Sequence, residues 1–312
     1  MNDHDSGQQT RTAYSQISLP FSYEAIVDEI CRFARLPEGD VRLRLWHEAL
    51  GLGWNVGRDV EAFGVTPHRY DHNMETMYRM GDGFIFETMV YWARSSRQEW
   101  TKRALERLLR HSTAAGIGAA DMSILLLGDG VGNDAIFFAR EGLTVDYFDV
   151  PGSRTYDFAV KRFEFYDLLG ETIRVLDNYS SCFKKKYDAV ISFEVLEHLK
   201  DPLATIADIG RLLKDGGIAL ITEAFGAVHP CFPTHLKCNA RFEGKAPFIF
   251  LRHGMVLSWY SRSPLFKPAE YTRVGKTRTL DGARLLTDIC VLKGLAAGPA
   301  RRMKRRIWTT FE

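Results

Sequence analysis

Apolar residues recur at helical spacing from Phe21 to about Arg110, and that period governs the first third of the chain. Ile26, Ile30, Phe33 and Ala34 fall on one stripe, and Asp40 reads as the N-cap of VRLRLWHEAL. METMYRM and FIFETMVYWA read as further helices, followed by the charged QEWTKRALERLLR. No alternating strand pattern interrupts them, so residues 20–112 are expected to form an all-helical domain. TAAGIGAAD (113–121), small and glycine-containing, reads as a linker.

Beyond it, short β-branched runs alternate with helices. ILLLG (124–128), TVDYFDV (144–150), TIRVLD (172–177), YDAVISFE (187–194) and GIALITEA (217–224) read as strands. Helices are expected across DAIFFAREG (134–142), YDFAVKRFEFYDLLG and DPLATIADIGRLLK. Asp201 should cap the last of these, with Pro202 in its first turn and Gly216 and Gly217 closing it. Strict alternation of strand and helix implies an α/β domain with parallel pairing and right-handed crossovers. After Ala224 a long connection rich in His, Pro and Cys precedes a helix near APFIFLRHG and strands near MVLSWYS and EYTRV. Residues 1–19 carry little apolar material and read as a disordered tail, and 281–312 read as a basic helical tail.

A 46% hydrophobic share over 312 residues is ample for a large core. Lys plus Arg number 41 against 39 Asp plus Glu, so overall charge gives no reason to expect nucleic acid as a partner. The five cysteines (Cys31, Cys182, Cys231, Cys238, Cys290) are odd in number and irregularly spaced, which suits reduced thiols in a cytosolic protein. Cys231 and Cys238 lack the close CxxC pairing of a zinc site. The polar N-terminus does not resemble a signal peptide, and no apolar run approaches the roughly 20 residues of a membrane span. A cytoplasmic protein without a membrane partner is expected.

Chemistry concentrates first at ILLLGDGVGND, where Gly128, Asp129, Gly130 and Gly132 lie between a strand and a helix. Glycines there let the chain turn sharply and let a ligand lie against the backbone. The spacing is G-x-G-x-G, with Asn133 where a dinucleotide fingerprint needs glycine, which argues for a ligand without a pyrophosphate. Asp149, beside Val150 at the end of the second strand, stands where an acid meets ribose hydroxyls; the competing reading makes it the cap of the next helix.

These motifs, with VLDN (175–178), YDAVISFEVLEHLKDP and GRLLKDGGIALIT in the same order, resemble the class I S-adenosylmethionine-dependent methyltransferases over about residues 121–224. The resemblance implies a Rossmann-like, mostly parallel seven-stranded sheet with helices on both faces, spanning about 113–280, with S-adenosylmethionine as cofactor. It assigns the cofactor site to Gly128, Asp129, Gly130, Gly132, Asp149, Val150, Asp177, Asn178 and Glu194, with Asp177 on the adenine amino group. The family usually carries an acid two residues before the first glycine. Leu126 stands there instead, leaving Asp129, Asp134 or backbone groups to place the methionine part. Phe148 and Phe193 are either core or faces for a sulfonium.

Methyl transfer from a sulfonium mainly demands alignment, with a base where the acceptor is a hydroxyl or amine. His198 in EVLEHL is the candidate catalytic residue; its alternative role is support of the turn. His235 and Asn239, in the connection after the fifth strand, are candidate acceptor contacts. Glu194, Glu197 and His198 are chemically sound divalent-metal ligands, with His229, His235 or His253 as further ones. The plainer reading sends Glu194 to the cofactor and Glu197 to solvent, and on it no metal is expected. The helical region, above all residues 54–73, would act as a lid that selects a small-molecule acceptor. Two rivals remain: an RNA methyltransferase gripping phosphates with Arg301, Arg302, Lys304, Arg305 and Arg306, and a non-catalytic cofactor-binding protein.

Overall fold

The computed structural model describes residues 22–261 and 267–274. The two predicted tails, Cys290 and the Arg301–Arg306 cluster lie outside the described residues. Among the described residues, six helices come first: α1 (Tyr23–Ala34), α2 (Glu38–Leu50), α3 (Trp54–Ala62), α4 (His72–Met80), α5 (Gly83–Ala93) and α6 (Ser95–Ala115). Local chemistry sets several of their ends. The Ser22 and Asp71 side chains accept from the N–H groups of Ala25 and Met74 at the starts of α1 and α4. Pro37, not Asp40, is the N-cap of α2, which places Asp40 inside the first turn, where a negative charge suits the helix dipole. The predicted linker begins inside α6, which runs on to Ala115 before Gly116 ends it at φ 66°.

The sheet follows: β1 (Ile124–Leu127), β2 (Val145–Phe148), β3 (Ile173–Val175), β4 (Tyr187–Phe193), β5 (Leu213–Thr222), β6 (Met255–Tyr260) and β7 (Ala269–Arg273). Its order is β3-β2-β1-β4-β5-β7-β6. The first five strands pair in parallel, whereas β7 runs antiparallel to both β5 and β6, so the sheet is mixed. The crossovers carry α7 (Asn133–Arg140), α8 (Arg154–Phe165), α9 (Pro202–Leu212) and, before β6, α10 (Ala246–Arg252). Asp201 caps α9 as expected, accepting from Ala204 N–H. Gly216 and Gly217 do not close that helix. The strand already begins at Leu213, where β5 pairs with Tyr187, so both glycines lie within β5.

Alternation along β1 sorts the core into two faces. Ile124 and Leu126 join a cluster containing Ile26, Ile30, Ile85, Phe86, Phe138 and Phe163. Leu125 and Leu127 join the other, with Ile206, Ile209 and Phe250. The N-terminal helices therefore share one continuous core with a face of the sheet. Each large side chain fully buried there contributes about 1.5–3 kcal/mol, so α1 and α5 are held by packing and not only by a tether. Two buried ion pairs reinforce the join. Arg162 on α8 donates to Glu29 on α1 at 2.6 Å and to the Val131 carbonyl at 2.6 Å. Arg97 on α6 pairs with Asp134 on α7, whose Oδ1 also accepts from Thr101 at 2.6 Å and Trp92 at 3.1 Å.

Candidate active site

Strand order reverses between β1 and β4, so the turns leaving these two strands part around a crevice, the position where open α/β sheets bind ligands. A cavity of about 880 Å³ lies there. Its floor is the turn after β1 and the end of β2; its roof comes from α4, α5 and α6 together with the turn after β4 and the connection after β5.

In the first turn the glycines divide the work. Gly130, at φ 58°, has open space where a Cβ would stand and lines the cavity. Gly132 lies off the cavity wall; at φ 77° it is the N-cap of α7, and a Cβ there would come within 2.5 Å of the Phe163 ring. Gly128 lines the wall, where a Cβ would meet Val195 at 2.6 Å. The Asp129 carboxylate accepts from the N–H groups of Asp134 and Ala135 at 3.2 and 2.8 Å, so it caps α7; burial, then the neighbouring Asp134, raises its pKa well above the usual range. Asp149 accepts from Gly130 N–H and Val150 N–H, both at 2.7 Å, and burial raises its pKa. The cap of α8 is Ser153, so Asp149 does not serve that helix. Asp149 and Val150 both line the cavity.

Asp177 and Asn178 are exposed and lie off the cavity wall, which Tyr179 lines instead. Their side chains are used locally: Asp177 accepts from Ser181 Oγ at 2.8 Å, and Asn178 accepts from Ser181 N–H at 3.0 Å. Leu126 is on the wall, as are Asp129 and Asp134, of which Asp134 is engaged by Arg97. Phe148 and Phe193 both line the cavity, and the Arg97 guanidinium lies 5.2 Å from the Phe193 ring centre.

The turn after β4 carries more chemistry. Glu194 takes φ 56°, unusual for a residue with a Cβ, and its N–H donates to Thr222 Oγ1 at 2.9 Å. Burial alone would raise its pKa, but Lys267, donating at 2.5 Å, outweighs that and lowers it. Glu197 does not face solvent as expected. The short 3-10 turn Leu196–His198 directs it inward, where it is fully buried and neither carboxylate oxygen has a hydrogen-bond partner. Burial, then Glu194, raises its pKa well above the carboxylate range. His198 Nδ1 lies 3.3 Å from both the Thr234 carbonyl and the Tyr78 hydroxyl, and burial lowers its pKa to about 4.

His235 reaches the same place from the long connection. Its Nδ1 is 2.8 Å from the Ala227 carbonyl, and its ring meets that of His198 edge-on at 4.7 Å. Burial, then His198, lowers its pKa to about 3. Asn239 is buried off the cavity wall: its amide donates to the carbonyls of Glu197 and Leu199 at 3.1 and 2.8 Å and so pins the turn. His229 and His253 are not cavity residues.

The roof differs from the expectation. Of residues 54–73 only Val56 and Tyr70 reach the cavity; Glu75, Tyr78, Phe84, Glu87 and Tyr91 supply more of it. Burial, then Glu48, pushes the Glu87 carboxyl up to about 8. Glu87, Arg97 and Lys267 were not singled out from the sequence, because on helices or in a loop between strands they look like solvated charges. The periodicity did contain a signal for Glu87: it sits inside FIFETMVYWA, a run apolar nearly all round.

A family model described as a methyltransferase domain matches residues 94–265. No curated protein matches. Among solved structures, a putative sarcosine dimethylglycine methyltransferase from Galdieria sulphuraria is 19% identical with a TM-score of 0.42, covering 55% of this chain; the match spans 64% of that protein, under two thirds of its length. A magnesium protoporphyrin IX methyltransferase from Synechocystis PCC 6803, with bound S-adenosylmethionine, is 18% identical with a TM-score of 0.44, over 61% of this chain and 84% of that one. A S-adenosylmethionine-dependent methyltransferase from Aquifex aeolicus is 16% identical with a TM-score of 0.44, over 58% and 94% of the two chains.

Proposed function

The chain belongs to the class I S-adenosylmethionine-dependent methyltransferases, and from that premise we propose that it methylates a small-molecule acceptor enclosed between the sheet and the N-terminal helices. The observation that carries this reading is the continuous cavity of about 880 Å³, which joins the glycine turn to the helical roof. Pockets for small ligands run to about 300–1,000 Å³, so this one is large enough for two ligands in contact.

The floor suits the cofactor. Gly130 offers backbone with no side chain in the way, and each Asp149 oxygen keeps a lone pair beyond its backbone bond for a ribose hydroxyl. When bound, the cofactor supplies an electrophilic methyl group on a positively charged sulfur. Glu194, beside the floor, is an ionised carboxylate paired with Lys267. Asp177 and Asn178 are proposed to bound the adenine end from the rim, and Tyr179 to face it from the wall.

The roof suits the acceptor. His198 is neutral at physiological pH and too weakly basic to hold a proton there, so its contribution is a lone pair that orients the acceptor's reacting atom. His235 stands beside it as a second such contact. Glu87, with its carboxyl raised to about 8, is the wall group matched to accepting a proton near neutrality. The enclosing helices α1–α6 then act as the acceptor-selecting lid. Incubating the protein with methyl-labelled cofactor and fractionated cell extract tests the reading. Label should enter a low-mass product identifiable by mass spectrometry; label confined to RNA or protein would overturn it.

A further inference from the structure

We propose that Glu197, His198 and His235 hold a divalent transition-metal ion at the acceptor end of the cavity. One ligand atom from each of the three lies within 4.8 Å of the other two, a spacing that a single ion can bridge. Glu197 is the second, independent observation. It is fully buried, yet both of its carboxylate oxygens lack a hydrogen-bond partner, an arrangement that buried carboxylates avoid unless a cation is at hand. Lys267 does not meet the need, because its ammonium is paired with Glu194.

The imidazoles are set up as ligands. A carbonyl can only accept, so the Nδ1 that faces Ala227 O in His235, and Thr234 O in His198, carries the proton. That leaves the Nε2 lone pair of each ring uncommitted, which is the outer-shell arrangement typical of metal-binding histidines. The frame behind them is stiff: Leu236 N–H and the Asn239 amide both donate to the Glu197 carbonyl, tying the two ligand-bearing segments together. Two imidazoles and one carboxylate suit zinc and its first-row neighbours better than magnesium or calcium, and three protein ligands leave coordination positions open. His198 and His235 both line the cavity, so those positions face the acceptor. An acceptor with an oxygen donor next to its reacting atom would complete the shell. With the ion bound, the His198 and His235 lone pairs proposed above as acceptor contacts act on the acceptor through the metal; ion binding itself needs neither cofactor nor acceptor, so its test can fail while the methyltransferase reading stands.

Cobalt(II) added to chelator-treated protein is the probe, read by visible d–d absorption and by calorimetry with zinc. One ion per chain is expected, with Glu197→Gln and His235→Asn each weakening binding at least tenfold. Glu197→Gln should melt no lower than the parent without metal, since it removes a charge that has no partner, so lost binding cannot be put down to unfolding. The exposed thiols Cys231 and Cys238 offer a competing site. The Cys231→Ser/Cys238→Ser double variant should keep its cobalt spectrum. Binding that disappears in that variant but persists in Glu197→Gln, or no stoichiometric binding in the parent, would overturn the proposal.

Discussion

The floor and the roof of the cavity are built by different means. On the floor and its rim, polar side chains are braced by backbone groups a few residues away: Asp129 on the floor by the start of α7, Asn178 outside the wall by the turn that follows it. Asp149 reaches across from β2, but only to the glycine turn on the neighbouring strand. On the roof, the partners come from segments far apart in sequence. Tyr78 meets His198, His68 meets the His235 carbonyl, and Lys267 meets Glu194. A floor made of local turns is rigid whatever it binds. A roof made of distant side chains keeps its shape only while the helices stay docked, and it can change acceptor without disturbing the cofactor.

The sharpest way to break that comparison is to undock the roof. Arg97→Met removes the guanidinium that neutralises Asp134 and leaves a buried carboxylate against α7. Removing one partner of a buried pair costs about 3–5 kcal/mol, so urea unfolding should show a loss of that order. Cofactor affinity measured below the unfolding transition should change much less. A loss under about 1 kcal/mol would mean that the shared apolar core alone holds the helices to the sheet.

A second test addresses the floor alone. Asp149→Ala should weaken cofactor binding by about 1–3 kcal/mol, the value of hydrogen bonds to a charged group, while the acceptor's KM stays near that of the parent. Calorimetry giving unchanged affinity would return Asp149 to the role of a brace for Gly130. This is also the half of the molecule that was legible beforehand. The short apolar runs and the glycine and acid positions are properties of contiguous residues, so β1, β2 and β4 emerge within a residue or two of their predicted bounds. What stayed illegible depends on tertiary placement. Glu197 reads as a solvent-facing charge until the 3-10 turn rotates it inward. Asn239 reads as an acceptor contact until its amide is seen to hold two carbonyls off the cavity wall. Asp177 fits a family position by sequence, but Ser181 is close enough to occupy it.

The third effect, at Glu87, is spread over several pH units, and it separates the two walls by pH. Its carboxyl titrates near 8 in the folded protein against about 4.3 for a free glutamate. A raised acid pKa means the folded state holds a proton that the unfolded state has released. The stability tied to that proton is therefore fully present below about pH 4.3 and is lost as pH climbs through about 8, at no more than about 1.4 kcal/mol per pH unit. Glu87→Gln removes the ionisation, so its unfolding free energy should fall less steeply over that window. Turnover should respond in the opposite sense. If the ionised carboxylate takes up the acceptor's proton, kcat/KM of the parent rises towards pH 8 and levels off, whereas the glutamine variant gives a lower and flat profile. Cofactor affinity should be indifferent to this substitution, because Glu87 belongs to the roof. A variant that keeps the parent's rising limb would show that proton removal depends on another group, and would leave Glu87 only the role of shaping the pocket.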